Sequence, residues 1–313
     1  MRNWIIIALI LLVVGLVGAG RTMGNEGFFN FGSVEIDQQQ AMDATGVKHI
    51  VLSFNSLDVT TVKGSTNEIK ASLTGKVSKK FLESTKLNIS RKADTITVSV
   101  DTKNGFTFGL SILDLELRLE LPEQQYESIT MDNGSGNINV AELAAQTIKI
   151  KNSSGNVQLN KLTANKLTLN VSSGSSQVTN VSANSAELDG YSGNITIEKL
   201  TAQKLSVKAG SGNVKMIDVD AELVVKAASG NIRAEQQDIK RPMDLSTGSG
   251  NVTINTDEKP ASVEFNFTAG SGTFRNQWDK NSNDDHKQNI RFGDGSTPVR
   301  VHTGSGNFTI GGR

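Results

Sequence analysis

The feature that most constrains the fold is a Ser-Gly-Asn tripeptide, or a close variant of it, that recurs through residues 135–307. Successive glycines of this repeat lie 19, 19, 19, 19, 18, 20, 22 and 34 residues apart. Self-similarity with a period of about 20 residues is typical of stacked repeat architectures. The glycines are Gly136, Gly155, Gly174, Gly193, Gly212, Gly230, Gly250, Gly272 and Gly306. We therefore expect one structural unit for each tripeptide.

Aliphatic residues keep fixed positions relative to each glycine of the repeat. Ile148 and Ile150 precede Gly155, for example, and Val157 and Leu159 follow it. Apolar residues spaced by two predict short strands with one buried face. Such a unit cannot bury that face alone, but stacked units can, with each strand pairing to the same strand one unit further on. The sequence therefore predicts an all-β fold, a single-stranded β-solenoid (β-helix) with coils of about 19 residues.

The tripeptide itself is predicted to form the corner between the two strands of each coil. A sharp corner often needs a positive φ, which glycine adopts without a Cβ clash. The asparagine that follows also tolerates left-handed geometry, and stacked asparagine side chains can form a hydrogen-bonded ladder. Ser175 and Thr273 replace this asparagine in two units. We interpret the tripeptide as a structural corner and not as a binding motif.

The N-terminal region is predicted to lie in or cross the membrane. An uncharged apolar run of 17 residues extends from Trp4 to Gly20, at the short end of what spans a bilayer. Residues 1–21 are predicted to form an N-terminal transmembrane helix in the cytoplasmic membrane, with the C-terminal domain extracellular. A signal peptide cut after Ala19 is the alternative. Residues 22–45 lack clear periodicity and are predicted to be a linker.

The rest of the chain divides into an irregular and a regular part. Residues 46–127 show strands of period two with variable loops. They are predicted to be irregular first coils or a β cap, because a repeat array needs a different terminal unit. A separate small β-domain is the alternative. Residues 128–313 are predicted to be the regular β-solenoid, and the gap of 34 residues predicts a loop insertion at residues 275–298.

Composition and charge argue against several classes of function. The formal net charge is zero, so the chain lacks an electrostatic footprint for nucleic acid. The absence of cysteine removes thiolate metal sites and a cysteine nucleophile. Polysaccharide-cleaving solenoids group acidic residues on one face, but Asp189, Asp218 and Asp220 stand at different offsets from the glycines. We therefore expect no enzyme activity, catalytic residue, cofactor or metal.

The predicted outward positions are small, polar and of mixed charge. Sugar-binding surfaces usually offer flat aromatic side chains. The regular array has one exposed candidate, Tyr191, which we interpret as an isolated corner residue.

If a specific contact surface exists, we expect it in the predicted loop at residues 275–298. Long loops on a rigid scaffold often carry binding function. This candidate contact loop contains Trp278, the only tryptophan outside the apolar run, and the polar residues Asp284, Asp285 and His286. These three residues could bind a metal, but a solvated loop is the favoured interpretation.

Several stretches resemble a known family. They are the Ser-Gly-Asn repeat with its aliphatic pairs, the Leu-Glu-Leu-Pro segment ending at Pro122, the Gly-Asp-Gly of residues 293–295 and the Thr-Gly-Ser-Gly-Asn-Phe-Thr-Ile of residues 303–310. Together they resemble the DUF4097 "putative adhesin" β-strand-repeat family. With the apolar N-terminal run, the chain is most similar to LiaG-like membrane-anchored proteins of Gram-positive bacteria. The resemblance implies an extracytoplasmic protein linked to the envelope stress response, and the family name suggests adhesion.

The sequence thus leads to three hypotheses about function. The first is a non-enzymatic cell-envelope surface protein of the adhesin type, in contact with the cytoplasmic membrane through its N-terminal helix and with a cell-wall polymer or an envelope protein. The second is a self-assembling structural scaffold at the membrane. The third and least favoured is a polysaccharide-active β-helix enzyme. The oligomeric state does not follow from the residues.

Overall fold

The computed structural model describes residues 33–101, 113–279 and 287–313, which are built from β-strands joined by tight turns. All the strands belong to one 22-stranded sheet system, and Lys79–Phe81 form a short 3-10 turn. In chain order the strands are β1 (Ser33–Asp43), β2 (His49–Ser56), β3 (Asp58–Gly64), β4 (Glu68–Ser78), β5 (Lys86–Lys92), β6 (Thr95–Asp101), β7 (Leu113–Pro122), β8 (Gln125–Ser135), β9 (Ile138–Ser154), β10 (Val157–Ser173), β11 (Ser176–Ser192), β12 (Ile195–Ser211), β13 (Val214–Ile217), β14 (Asp220–Ser229), β15 (Ile232–Gln236), β16 (Met243–Ser249), β17 (Val252–Thr256), β18 (Val263–Ser271), β19 (Phe274–Asn276), β20 (Lys287–Phe292), β21 (Thr297–Ser305) and β22 (Phe308–Gly312).

Strands β9 to β12 show the regular coil most clearly. Each of them begins just after one corner, ends at the next, and pairs in parallel with its neighbours in the stack. Leu167 lies opposite Ile148 of the preceding coil and Ala186 of the following coil, and all three side chains are buried. Inward residues of successive coils therefore form continuous apolar rows. The all-β, solenoid-like stacking predicted from the repeat is confirmed.

Each regular coil also has a second bend, six residues after its corner glycine. Non-glycine residues adopt left-handed backbone geometry there, with φ between 50° and 58°. They are Glu142, Lys161, Asn180, Lys199 and Asp218. This geometry costs an L-residue about 1–2 kcal/mol. The coil tolerates the cost because the bend turns the next residue, such as Leu162, into the core.

The first coil in the sequence, formed by β2 and β3, lacks the tripeptide. β2 and β3 pair in parallel with β8 and β9, so that Ser56 lies opposite Ser135 and Val59 lies opposite Ile138. Leu57 therefore takes the place of a corner glycine. β6 and β7 continue the parallel pairing on the other side of β2 and β3, and the segment that joins them lies outside the described residues.

Beyond β6 and β7, the strands β1, β4 and β5 extend the stack by antiparallel pairing. β4 pairs with β7 on one side and with the full length of β1 on the other. Residues 33–43 are therefore a strand, and the predicted linker at residues 22–45 is wrong for this part. The side chains of Gln38 and Gln40 hydrogen-bond to the backbone of β5 at 2.7–2.9 Å. These amides take the place of a further strand along the edge of β5.

The last coil in the sequence is not the last coil in the stack. β21 lies between β16 and β18 and pairs in parallel with both. β22 likewise lies between β17 and β19. The coil of Gly306 is thus inserted between the coils of Gly250 and Gly272. The expectation that each unit pairs with the next unit in sequence is wrong at this end.

The predicted loop insertion at residues 275–298 is largely an end cap of the solenoid. β19 pairs with β22, and β20 pairs antiparallel with β18. The chain needs this extra length because it must leave the coil of Gly272 and return to place the last coil inside the stack. Residues 280–286 of the segment lie outside the described residues.

Aromatic side chains fill the core at this C-terminal end. The ring centroids of Phe265, Phe267, Phe274 and Phe308 lie 5.2–6.1 Å from their neighbours, within the range of favourable aromatic pairs. Phe308 belongs to the inserted coil and contacts the other three rings. The insertion therefore completes an aromatic cluster that the flanking coils do not form alone.

The predicted transmembrane helix in residues 1–21 lies outside the described residues. Within the ranges that the structure describes, no helix has the length and apolar character needed to cross a membrane.

Candidate functional site

The Ser-Gly-Asn corners line up along the stack as one continuous edge, which we call the corner ridge. All nine glycines have φ between 108° and 151°. Residues that carry a Cβ atom rarely adopt this backbone conformation. A Cβ atom at Gly193 would also collide with the carbonyl oxygen of Gly174 in the preceding coil. The corners are therefore restricted to glycine by backbone geometry and by the close approach of neighbouring coils.

The residue after each corner glycine builds the asparagine ladder along the ridge. The backbone N–H of one coil donates to the side-chain oxygen of the coil before it, at 2.7–3.1 Å. Asp58 supplies the first acceptor of this ladder. The ladder follows the order of the stack, since Asn307 lies between Asn251 and Thr273. In the described chain its one gap falls after Ser175, whose hydroxyl is too short to reach Asn194.

Two outward faces flank the corner ridge. On the face after the corner, outward side chains at the same height lie opposite one another in successive coils. This row, the polar row, consists of Asn139, Gln158, Gln177, Thr196, Lys215, Arg233, Thr253 and Thr309. Charged residues on both faces pair with neighbours, as in Lys208 with Glu187 at 3.4 Å before the corner and Lys215 with Glu235 at 3.8 Å after it. The faces are therefore polar and locally neutralised.

Two of the three carboxylates weighed as possible catalytic groups, Asp218 and Asp220, make ion pairs. Asp218 and Asp220 line one cavity of about 210 Å³ at the point where the second bend of the coils ends. Asp220 accepts from Arg241 at 2.6 Å, and Asp218 pairs with Arg313. The cavity was not foreseen from the sequence, because it forms where the chain after Gln236 leaves the regular coil. The residues that the structure describes contain no cluster of three or more histidines and carboxylates suited to a metal ion.

Tyr191 stands out on the face before the corner. It is 77% exposed and borders a groove of about 340 Å³ that also touches Asn170, Asp189, Lys208 and Gly210. Our interpretation of Tyr191 as an isolated corner residue missed this groove. The sequence did contain a signal for this exposed tyrosine. Two residues before each of the remaining eight corner glycines stands a glycine, a serine or an alanine.

The candidate contact loop is only partly within the described structure. Trp278 is half-buried and packs against the hydrophobic core, and its backbone N–H donates to Asn276 at 3.0 Å. It is therefore part of the end cap. Asp284, Asp285 and His286 lie outside the described residues.

Comparison with solved structures identifies proteins with a similar fold. A "putative adhesin" from Parabacteroides distasonis ATCC 8503 has 17% identity and a TM-score of 0.51, and the match covers 91% of this chain and 98% of that chain. A "putative lipid binding protein" from the same organism has 14% identity and a TM-score of 0.52, with 87% and 96% of the two chains covered. At such low identities these similarities concern the fold alone. No curated protein matches the chain.

A family model gives the stronger result. The model described as Toastrack DUF4097 matches residues 47–311, which include the first coil, the corner ridge and the inserted last coil. The match agrees with the resemblance carried by the repeat. The chain therefore belongs to the Toastrack DUF4097 family.

Proposed function

We propose that this protein is a non-enzymatic surface protein of the cell envelope that acts as an adhesin. The observation that carries the proposal is the polar row, in which amides, hydroxyls and the two basic side chains of Lys215 and Arg233 lie side by side in successive coils. Neighbouring strands are about 4.8 Å apart, so the row spans on the order of 30 Å. A rigid row of equally spaced weak contacts suits an extended polymer with its own repeat, because tethered contacts add in affinity.

The described surface supports contact better than chemistry. Two of the carboxylates weighed as catalytic groups, Asp218 and Asp220, are tied into ion pairs with Arg313 and Arg241, and general acid–base chemistry needs a carboxyl group free to exchange a proton. The names of the two similar structures, one adhesin and one lipid-binding protein, are compatible with an envelope role. We propose the adhesin role because apolar side chains of successive coils fill the described interior.

A location at the membrane is part of the proposal. The apolar run from Trp4 to Gly20 would anchor the chain in the cytoplasmic membrane and leave the solenoid outside the cell. The resemblance to LiaG-like proteins supports this arrangement and a link to the envelope stress response. A cell-wall polymer is then the partner within reach of the polar row.

The ends of the stack weigh against the scaffold alternative. Gln38 and Gln40 occupy the backbone groups along the edge of β5, and β20 crosses antiparallel over β18 at the other end. These contacts cover the outer edges of β5 and β18 on the face before the corner. Light scattering on the full chain tests this point, and concentration-dependent filaments would favour the scaffold.

The decisive experiment is co-sedimentation of the full chain with purified Gram-positive cell walls. We expect saturable binding at physiological salt, with a broad titration that reflects many weak contacts. Replacement of Gln158 and Gln177 by glutamate should weaken the binding by placing like charges at adjacent positions of the polar row. The matched control replaces Gln146 and Gln203, two exposed glutamines outside the polar row, by glutamate. Absence of binding by the unmodified chain would contradict the proposal.

A further inference from the structure

Tyr191 has an unusually open position in the stack. It precedes its corner glycine by two residues, and the equivalent residues of the adjacent coils are Ser172 and Gly210. Because both neighbours are small, the tyrosine ring is left uncovered and remains 77% exposed. The ring therefore stands above the surface of the coil as a flat apolar platform.

Polar groups lie directly beside this platform. Asn170, Asp189 and Lys208 are aligned in three consecutive coils, each facing its neighbour across the strand pairing. Asp189 and Tyr191 are two residues apart on one strand and so project from the same face. Together these residues border the groove of about 340 Å³.

The Asp189 carboxylate has unused hydrogen-bonding capacity. It accepts no hydrogen bond from the described residues, and one of its oxygens is buried without a partner. The nearest cation is the Lys208 ammonium, 3.9 Å from that buried oxygen. Burial raises the pKa of the Asp189 carboxyl, Lys208 opposes the rise and Glu187 adds to it. The second carboxylate oxygen can accept hydroxyl donors from the groove, because 36% of the side chain is exposed.

We propose that this groove binds one neutral sugar residue of a polysaccharide. The C–H face of the sugar ring stacks on Tyr191, and adjacent hydroxyl groups donate to Asp189 and bond with the Asn170 amide. The assignment rests on the proposed envelope function. It specifies a neutral sugar as the ligand of the Tyr191 groove. A neutral ligand is favoured because the groove offers one carboxylate and one ammonium group, whose charges compensate each other.

The stack contains a natural control for this site. Asp132 occupies the same position in its coil as Asp189, and Lys151 one coil further on lies 3.6 Å from it. Two residues after Asp132, however, stands Gly134 instead of a tyrosine. The aspartate–lysine ion pair is thus present at Asp132 without the aromatic platform. The surface around Asp132 should therefore not bind the sugar.

Saturation-transfer NMR on the full chain tests the proposal, with glucose, galactose and N-acetylglucosamine as separate probes. We expect at least one probe to bind with a dissociation constant of about 1–10 mM, as one ring and a few hydrogen bonds allow. Tyr191→Ala and Asp189→Asn should each weaken binding about tenfold or more, since each removes one of the two principal contacts. Asp132→Asn should leave it unchanged.

Thermal unfolding monitored by circular dichroism establishes that the variants are folded. The proposal is overturned if none of the three sugars binds, or if Tyr191→Ala binds as tightly as the unmodified chain.

Co-sedimentation with cell walls separates this proposal from the function on which it rests. Wall binding that survives Tyr191→Ala unchanged overturns the groove as the point of contact while the adhesin role stands. Sugar binding that depends on Tyr191, combined with no wall binding by the unmodified chain, supports the groove and contradicts the envelope role.

Discussion

The middle of the solenoid and its C-terminal end use the same corner but are assembled differently. From β9 to β12, each coil stacks on the coil that precedes it in sequence, with a constant register. At the C-terminal end, β21 lies between β16 and β18, and β22 lies between β17 and β19, although all four of these strands precede β21 and β22 in the sequence. The comparison shows that the tripeptide defines how a coil turns without defining which coil becomes its neighbour.

The difference has a physical source in the core. Leucine, isoleucine and valine fill the middle coils, so successive coils have similar inner surfaces. The C-terminal coils carry phenylalanine, and Phe308 packs on Phe265, Phe267 and Phe274 at 5.2–5.9 Å. The inserted position gives this ring aromatic contacts in the coil of Gly272, and β17 continues the parallel pairing on its other side.

The largest effect is expected from removing the inserted coil by truncation after Ser296. β16 and β18 would each lose a parallel partner, so their amide exchange should accelerate by on the order of 100-fold. β9 to β12 should keep slow exchange, because stacked repeats stabilise mainly their neighbours. Hydrogen exchange read by mass spectrometry measures both regions in one sample.

The control for this truncation is Arg313→Ala, which keeps the inserted coil and removes only the exposed ion pairs to Asp218 and Asp257. That variant should lose no more than about 1 kcal/mol. Unchanged exchange in β16 and β18 after truncation would mean that these strands pair directly, against the observed stack order.

Gly193→Val and Gly306→Val compare the corner in the two regions. In both, the added Cβ atom would meet the carbonyl oxygen of the corner beneath it, Gly174 or Gly250. Each substitution should lower the free energy of unfolding by about 3 kcal/mol or more, because strain and collision add. Urea unfolding measures the loss, and Ser192→Ala should stay within about 0.5 kcal/mol. A midpoint that does not move would refute the stacked left-handed corner.

The gap in the asparagine ladder offers a stabilising test. Ser175→Asn should supply the missing acceptor for the backbone N–H of Asn194 and raise stability by about 1 kcal/mol. Asn213→Ala should cost a similar amount, since the side-chain oxygen of Asn213 accepts from Asn231 at 3.0 Å. Melting temperatures of the two variants should move in opposite directions. A shift of both variants in the same direction would show that the ladder contributes little.

The smallest effect concerns the pH dependence of Asp189. Burial raises the pKa of this carboxyl, so the folded state binds more protons than the unfolded state just above the unfolded pKa of about 3.9. The stability contribution of Asp189 therefore falls as the pH rises through that window and stays low at neutral pH. Asp189→Asn should melt slightly higher than the unmodified chain near neutral pH and at the same temperature below about pH 3.9. An equal difference at both pH values would exclude the titration of Asp189 as the cause.

Much of the coil was predictable from local patterns. The spacing of residues such as Ile148 and Ile150 predicted the strands and their buried face, and the residue after each glycine predicted the ladder. The left-handed backbone of the second bend was not predictable, because residues as different as Glu142 and Asn180 occupy it and no common residue type marks the position. Of the candidate contact loop, Trp278 belongs to the end cap.

The Tyr191 groove shows what a repeat conceals. Asp189 and Tyr191 lie on one strand, but Asn170 and Lys208 are distant in sequence, and only the alignment of successive coils brings them beside this pair. The position of Tyr191 within its repeat unit could be taken from the sequence. The groove, however, exists because the equivalent residues of the adjacent coils, Ser172 and Gly210, are small. Such a surface becomes visible only when adjacent units are placed side by side.

By itself, the sequence determined the period, the strands, the glycine corners and the all-β class, because each of these depends on residues close together in the chain. The tertiary structure decided the stack order, the strand at residues 33–43 and the end caps. Coils of similar shape can pair with several others, so local pattern does not distinguish among neighbours. The choice depends on side chains distant in sequence, such as Phe308 among the phenylalanines of the coil of Gly272 and Gln38 along the edge of β5.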